Sequence, residues 1–144
     1  MRAYACLLLV LTLSACAPAE EPAGKLQLTS LRGQWVFINY WATWCKPCIQ
    51  EIPELNHLGE QYPDITVLGV NYDGVSGAEL AQQVQELDIA FAILDEDPAN
   101  QLGVARPVVL PTTLVLDPTG ALSATLVGPQ TLESLALVAK KTGP

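Results

Sequence analysis

The chain is 144 residues long, half of them hydrophobic, with 15 acidic side chains against 7 basic and a net charge of −8 at neutral pH. Such an acidic chain has no electrostatic footprint for nucleic acid and no polybasic patch for anionic lipid. Its length suits one domain with a core of its own.

Met1-Arg2 is a minimal positive start, and the apolar stretch from Ala3 to Leu13, followed by Ser14-Ala15-Cys16, reads as a secretory signal over residues 1–15. That run is too short to span a bilayer, and Cys6 is discarded with it. Leu13-Ser14-Ala15-Cys16 resembles a bacterial lipoprotein box, which implies that Cys16 is acylated on its thiol and becomes the new N-terminus. Residues 16–24 then form a lipidated tether. Two prolines and no hydrophobic period keep residues 17–24 extended, with a reach of at most about 28 Å. The folded domain is expected over residues 25–144.

Residues 36–40, Val-Phe-Ile-Asn-Tyr, read as a buried strand, and Trp44-Cys45-Lys46-Pro47-Cys48 follows where that strand hands over to a helix expected over 45–61. A cysteine opening a helix has its thiolate favoured by the first-turn N–H groups and the macrodipole, with Lys46 adding a smaller push. Cys48 lies one turn on along the same face, close enough to bridge. Pro47 falls in the first turn, where a missing N–H costs little. The pattern is that of a redox-active dithiol. A structural zinc site is the bland alternative, but once the two N-terminal cysteines are set aside only Cys45, Cys48 and His57 remain for four positions. A disulfide closing so short a loop also stabilises little.

Residues 65–70 read as a second strand, which makes a βαβ unit with parallel pairing. Residues 77–87 carry Leu80, Ala81, Val84 and Leu87 at helical spacing, and residues 90–94 read as another strand. Residues 113–116 and 122–126 flank Asp117-Pro118-Thr119-Gly120, a hairpin signature. Leu132, Leu135 and Val138 stripe a last helix, with Lys140 and Lys141 at the end where cations are favoured.

The segment Ile38-Asn39-Tyr40-Trp41-Ala42-Thr43-Trp44-Cys45-Lys46-Pro47-Cys48 resembles the strand and active site of the thioredoxin superfamily. Within it the match is to the membrane-tethered TlpA/ResA-like thiol-disulfide oxidoreductases. Pro53 matches the proline that bends the active-site helix, Leu110-Pro111-Thr112-Thr113 the cis-proline loop, and residues 26–33 the lead-in strand and turn. The resemblance implies an α/β thioredoxin-like fold, a central mixed sheet flanked by helices, in which residues 77–94 form the αβ insertion of TlpA/ResA-like proteins. It implies catalysis by Cys45, the exposed nucleophile, and Cys48, the shielded resolver. Trp44 would be an exposed surface beside the reactive sulfur, and the backbone at Leu110 and Pro111 would bind the partner. Glu51 matches a family glutamate. Asn39 stands where thioredoxin has a buried aspartate that assists proton transfer, so Glu51, on the Cys48 face, becomes the candidate proton acceptor.

Trp35 and Trp41 read as packing, and His57 as a partly exposed helix side chain. The function expected is a lipid-anchored, extracytoplasmic oxidoreductase of the bacterial cell envelope, facing the periplasm and needing no metal or organic cofactor. Its partners would be protein disulfides and a transmembrane electron donor, with a reducing role like that of the cytochrome c maturation reductases. The alternative is a thioredoxin-like copper chaperone of the Sco type, although those use C-x-x-x-C and a distant histidine. A peroxiredoxin would need P-x-x-x-T-x-x-C around Cys45, which is absent.

Overall fold

Seven consecutive side chains, Trp35–Trp41 (β1), are all buried, because this strand is the middle of a sheet covered on both faces. The computed structural model describes residues 28–141; the expected signal, Cys16, the tether and the first residues of the domain lie outside the described residues. The chain continues through α1 (Lys46–Gln61), β2 (Ile65–Asn71), α2 (Gly77–Glu86), β3 (Ala92–Ile93), β4 (Thr112–Leu116), β5 (Leu122–Val127) and α3 (Leu132–Lys141). Strand order is β3-β2-β1-β4-β5. β1, β2 and β3 pair in parallel, and β4 runs antiparallel to both β1 and β5. This is the mixed sheet flanked by helices that the resemblance implies.

Alternation along β1 divides the core. Trp35 and Phe37 meet Leu55 and Leu58 of α1 and Leu135, Ala136 and Ala139 of α3 on one face. Val36, Ile38 and Tyr40 point to the other face with Leu68, Val70, Leu114 and Leu116. Among the described residues no α-helix covers that second face; Leu28, Leu31, Leu94, Leu102, Val104 and Leu110 pack on it from irregular segments and a short 3₁₀ turn.

Three elements differ from expectation. The lead-in expected as a strand and turn is, from Leu28 to Leu31, one 3₁₀ turn. Leu28 and Leu31, three apart, eclipse on one face of such a turn and both reach the core. Gly33, at φ +94, then donates to Pro118 O at 2.8 Å. The strand expected over 90–94 shrinks to two residues, because pairing with β2 is confined to Leu68 and Gly69. Helix α1 begins at Lys46, since Cys45 itself has extended dihedrals (φ −85°, ψ 93°) and acts as its cap. Pro53 lies inside α1 on its exposed side, so the N–H it lacks leaves no buried gap. The hairpin at Asp117 forms as expected, Asp117 Oδ1 accepting from the backbone of Thr119 and Ala121.

Gly69 sits where β2 is crossed by neighbouring side chains. A Cβ there would lie 2.5 Å from Ile93 Cδ1 and 2.9 Å from Nε1 of the fully buried Trp41. Gly69→Ala is therefore expected to cost about 1–3 kcal/mol by overpacking. A urea titration should show a lower midpoint at unchanged slope. An unchanged midpoint would mean that the site relaxes freely.

Candidate active site

The end of β1 and the start of α1 place the dithiol. Cys45 N donates to Ala42 O at 3.1 Å, closing a turn that brings the backbone from strand to helix. Cys45 and Cys48 are joined as a disulfide, with Cα atoms 5.3 Å apart. Cys48 N donates to Cys45 Sγ at 3.3 Å, so the first cysteine caps the helix through its sulfur. When the bond is reduced, the same N–H and the helix end favour a thiolate on Cys45.

The expected contrast in exposure is small. Cys45 is 4% exposed and Cys48 1%, because both sit in an apolar cluster with Trp41, Ala42, Ile52 and Ile89. The physical asymmetry lies in the backbone: Cys45 precedes the first helical residue and Cys48 is inside the helix.

Trp44 is 63% exposed, as expected, while Trp35 and Trp41 are core. Its indole N–H donates to Asp73 at 2.9 Å, and Tyr72 meets its ring edge-on at 6.4 Å. Across the site the Leu110–Pro111 peptide is cis. Leu110 packs against the dithiol cluster, and its backbone N–H and C=O make no hydrogen bond among the described residues. An extended segment of another chain can pair with those free groups.

Glu51 is more deeply placed than its sequence position suggests, at 1% exposure. Oε2 accepts from Asn39 Nδ2 at 2.9 Å and Oε1 from Gln130 N at 2.9 Å. The Asn39 amide also donates to Thr113 Oγ1 at 3.0 Å, and its own Oδ1 has no partner. Burial pushes the Glu51 carboxyl up to about 7, against the downward pull of the Gln130 and Asn39 donors. The carboxyl that titrates near neutrality is thus carried one turn beyond Cys48 on the same helix.

His57 lies on the exposed face of α1, away from the covered dithiol. The residues of the copper-site alternative are therefore not assembled, and no group of three or more His, Cys, Asp or Glu suited to a metal occurs among the described residues. No helix among them is long and apolar enough to cross a membrane. Sequence reasoning missed Gln130, whose contribution is a backbone N–H that no side-chain pattern marks. It also missed Tyr72, although that residue directly follows a strand parallel to β1, and the ends of parallel strands gather at a site.

Comparison with protein families matches residues 13–125 to the AhpC/TSA family. Thiol-disulfide oxidoreductase ResA of Bacillus cereus is 30% identical over 122 residues, covering 83% of this chain and 70% of that protein. Among solved structures, a secreted thiol-disulfide isomerase from Corynebacterium glutamicum is 30% identical with a TM-score of 0.67, covering 79% of this chain and 73% of the other. A DsbF homologue from Corynebacterium diphtheriae is 28% identical with a TM-score of 0.69, covering 81% and 76%.

Proposed function

Since this chain belongs to the thioredoxin-like AhpC/TSA family and is a thiol-disulfide oxidoreductase, we propose that it serves as a reductant of protein disulfides outside the cytoplasm. The observation that carries this reading is Cys45 capping α1 through its sulfur, beside the exposed Trp44 and the backbone of Leu110, which is unpaired among the described residues.

The Cys45 thiolate attacks one sulfur of a partner disulfide; a mixed disulfide forms and the partner's other sulfur leaves as a thiolate that takes up a proton. Cys48 then loses its proton to Glu51 and attacks Cys45 Sγ. The intramolecular disulfide closes, the second partner thiol departs, and two electrons have passed to the partner. The bond between Cys45 and Cys48 is the product state of that cycle. Leu110 and Pro111 hold the partner's backbone, and Trp44 gives it a flat apolar face.

Residues 1–15 are read as the signal and 16–24 as the tether, with Cys16 lipidated and the domain facing the periplasm. Helix α2 and strand β3 are read as the TlpA/ResA-type insertion. The partner class is an envelope protein whose cysteine pair must be kept reduced, an apocytochrome c among them. A transmembrane donor returns the electrons. Cys16→Ser is expected to release the protein from the membrane fraction or block its processing, because firm attachment needs more than one acyl chain. Retention of the processed variant in membranes would remove the anchor from this reading.

Lys46-Pro47 resembles the proline-containing dipeptides of reducing family members, so the couple is expected below roughly −200 mV. Equilibration of the protein with glutathione measures it, and a value near −120 mV would reverse the role to that of an oxidant.

A further inference from the structure

The stretch leading to the cis-proline, Ala105 to Leu110, belongs to no strand or helix, yet it forms one bank of the active site. Among the described residues it is hydrogen-bonded to the rest of the molecule through two groups only. One is Val109 O, which accepts from the Thr112 hydroxyl at 2.8 Å. The other is the Arg106 guanidinium.

That guanidinium makes three contacts at once. Nε donates to Asp97 Oδ2 at 2.7 Å, Nη2 donates to the Tyr72 carbonyl, and Cζ stands 3.9 Å from the centre of the Tyr72 ring. Asp97 is fixed from below, since its Oδ1 accepts from the hydroxyl of the fully buried Tyr40 at 2.7 Å and from Ala99 N at 3.0 Å. Tyr72 is fixed from the other side by its N–H to Trp41 O at 2.8 Å, and its ring supports Trp44. Tyr72 and Leu110 both pack against the cluster that contains Cys45 and Cys48. One side chain thus joins the loop on one bank of the dithiol to the aromatic platform on the other.

We propose that Arg106 is a positioning residue for partner docking, setting the separation between the Trp44–Tyr72 platform and the Val108–Pro111 segment between which a partner's cysteine-bearing strand lies. It acts through Tyr72 and the loop and never touches the sulfurs. The proposal rests on the protein-disulfide reading above. Lysine cannot replace it, because an ammonium lacks both the planar fork and the stacking face. Val108, 89% exposed, and Val109, 50% exposed, follow Arg106 closely along the chain and would lose their fixed place without it.

The test compares two oxidants of the reduced full-length protein, insulin as a protein disulfide and 5,5′-dithiobis(2-nitrobenzoate) as a small one that needs no docking surface. Arg106→Ala and Arg106→Lys are each expected to slow the reaction with insulin by about tenfold, the scale of losing a stacked arginine that bridges two hydrogen-bond partners at a docking surface. The small disulfide should change less than about twofold, since the helix cap that activates Cys45 is untouched. In a Tyr72→Leu background the loss from Arg106→Ala should shrink, because the two act as one unit. Equal slowing with both oxidants, additive losses, or full insulin activity in Arg106→Lys would overturn the proposal. A parent protein that reacts with the small disulfide and not with insulin would instead refute the protein-disulfide reading, and the positioning role of Arg106 would fall with it.

Discussion

Cys45→Ser is expected to reduce disulfide exchange to the uncatalysed background, while Cys48→Ser accumulates mixed disulfides with its partners. A serine hydroxyl at position 45 keeps the helix cap but supplies no thiolate at neutral pH, so the first attack is lost. A serine at position 48 leaves that attack intact and removes the group that resolves it. Solvent exposure does not carry this assignment, for the two cysteines are nearly equally covered. It rests on the helix end, where the N–H of Cys48 is directed at the sulfur of Cys45 and no such donor among the described residues faces the sulfur of Cys48. Non-reducing gels of the two variants, run after incubation with a protein disulfide, read the outcome directly. Equal trapping by both would show that either sulfur attacks.

Replacing Glu51 should change how stability depends on pH. Its carboxyl titrates at about 7 in the folded protein, against an ordinary 4.5. Between those two values the unfolded chain has given up the proton and the folded one has kept it. Folding is therefore most favoured below the lower value, and this contribution is lost as pH rises through 7. The difference amounts to about 3 kcal/mol across that window. Glu51→Gln has no proton to lose, so urea titrations of the oxidised protein near pH 4.5 and near pH 8 should show that decline in the parent and not in the variant. The neutral amide can still accept from Gln130 N, and the unpartnered Asn39 Oδ1 can turn to receive its N–H. Parallel pH dependence in the two proteins would place the carboxyl outside the titrating role. In the reduced protein the same change should lower the apparent pKa of the Cys45 thiol and raise its alkylation rate severalfold near neutrality, because a buried carboxylate one helical turn from Cys48 is gone. Resolution by Cys48 should slow at the same time, since its proton acceptor is missing. An alkylation profile overlaying the parent's would show that the carboxyl and the thiols do not sense each other.

Much of this molecule is legible along the chain because it depends on neighbours a few residues apart. The apolar run before the cysteines, the proline inside the first turn and the two-residue spacing fix a strand, a helix start and a bridging pair. Each rests on local dihedrals and on the one-turn repeat of a helix. The Asp117 hairpin is local in the same way. The βαβ unit follows from the order of its elements together with the handedness rule.

What only the tertiary structure decided are groups brought together across the sheet. Helical spacing puts Glu51 on the Cys48 face, but its burial and partners come from the fold, because α1 lies on β1 and against the turn before α3. Its two donors come from residues 12 and 79 positions away. Thr113, 74 positions from Asn39, meets it only because β4 pairs antiparallel with β1. Arg106 and Tyr72, 34 apart, meet because the second face of the sheet is covered by irregular chain whose path no periodicity reports. Sequence by itself located the reacting sulfurs, since their chemistry is set by the backbone that carries them. The burial of Glu51 and the contacts of Arg106 with Asp97 and Tyr72 were decided by packing, since burial and long-range pairing alone fix the environment of a charge.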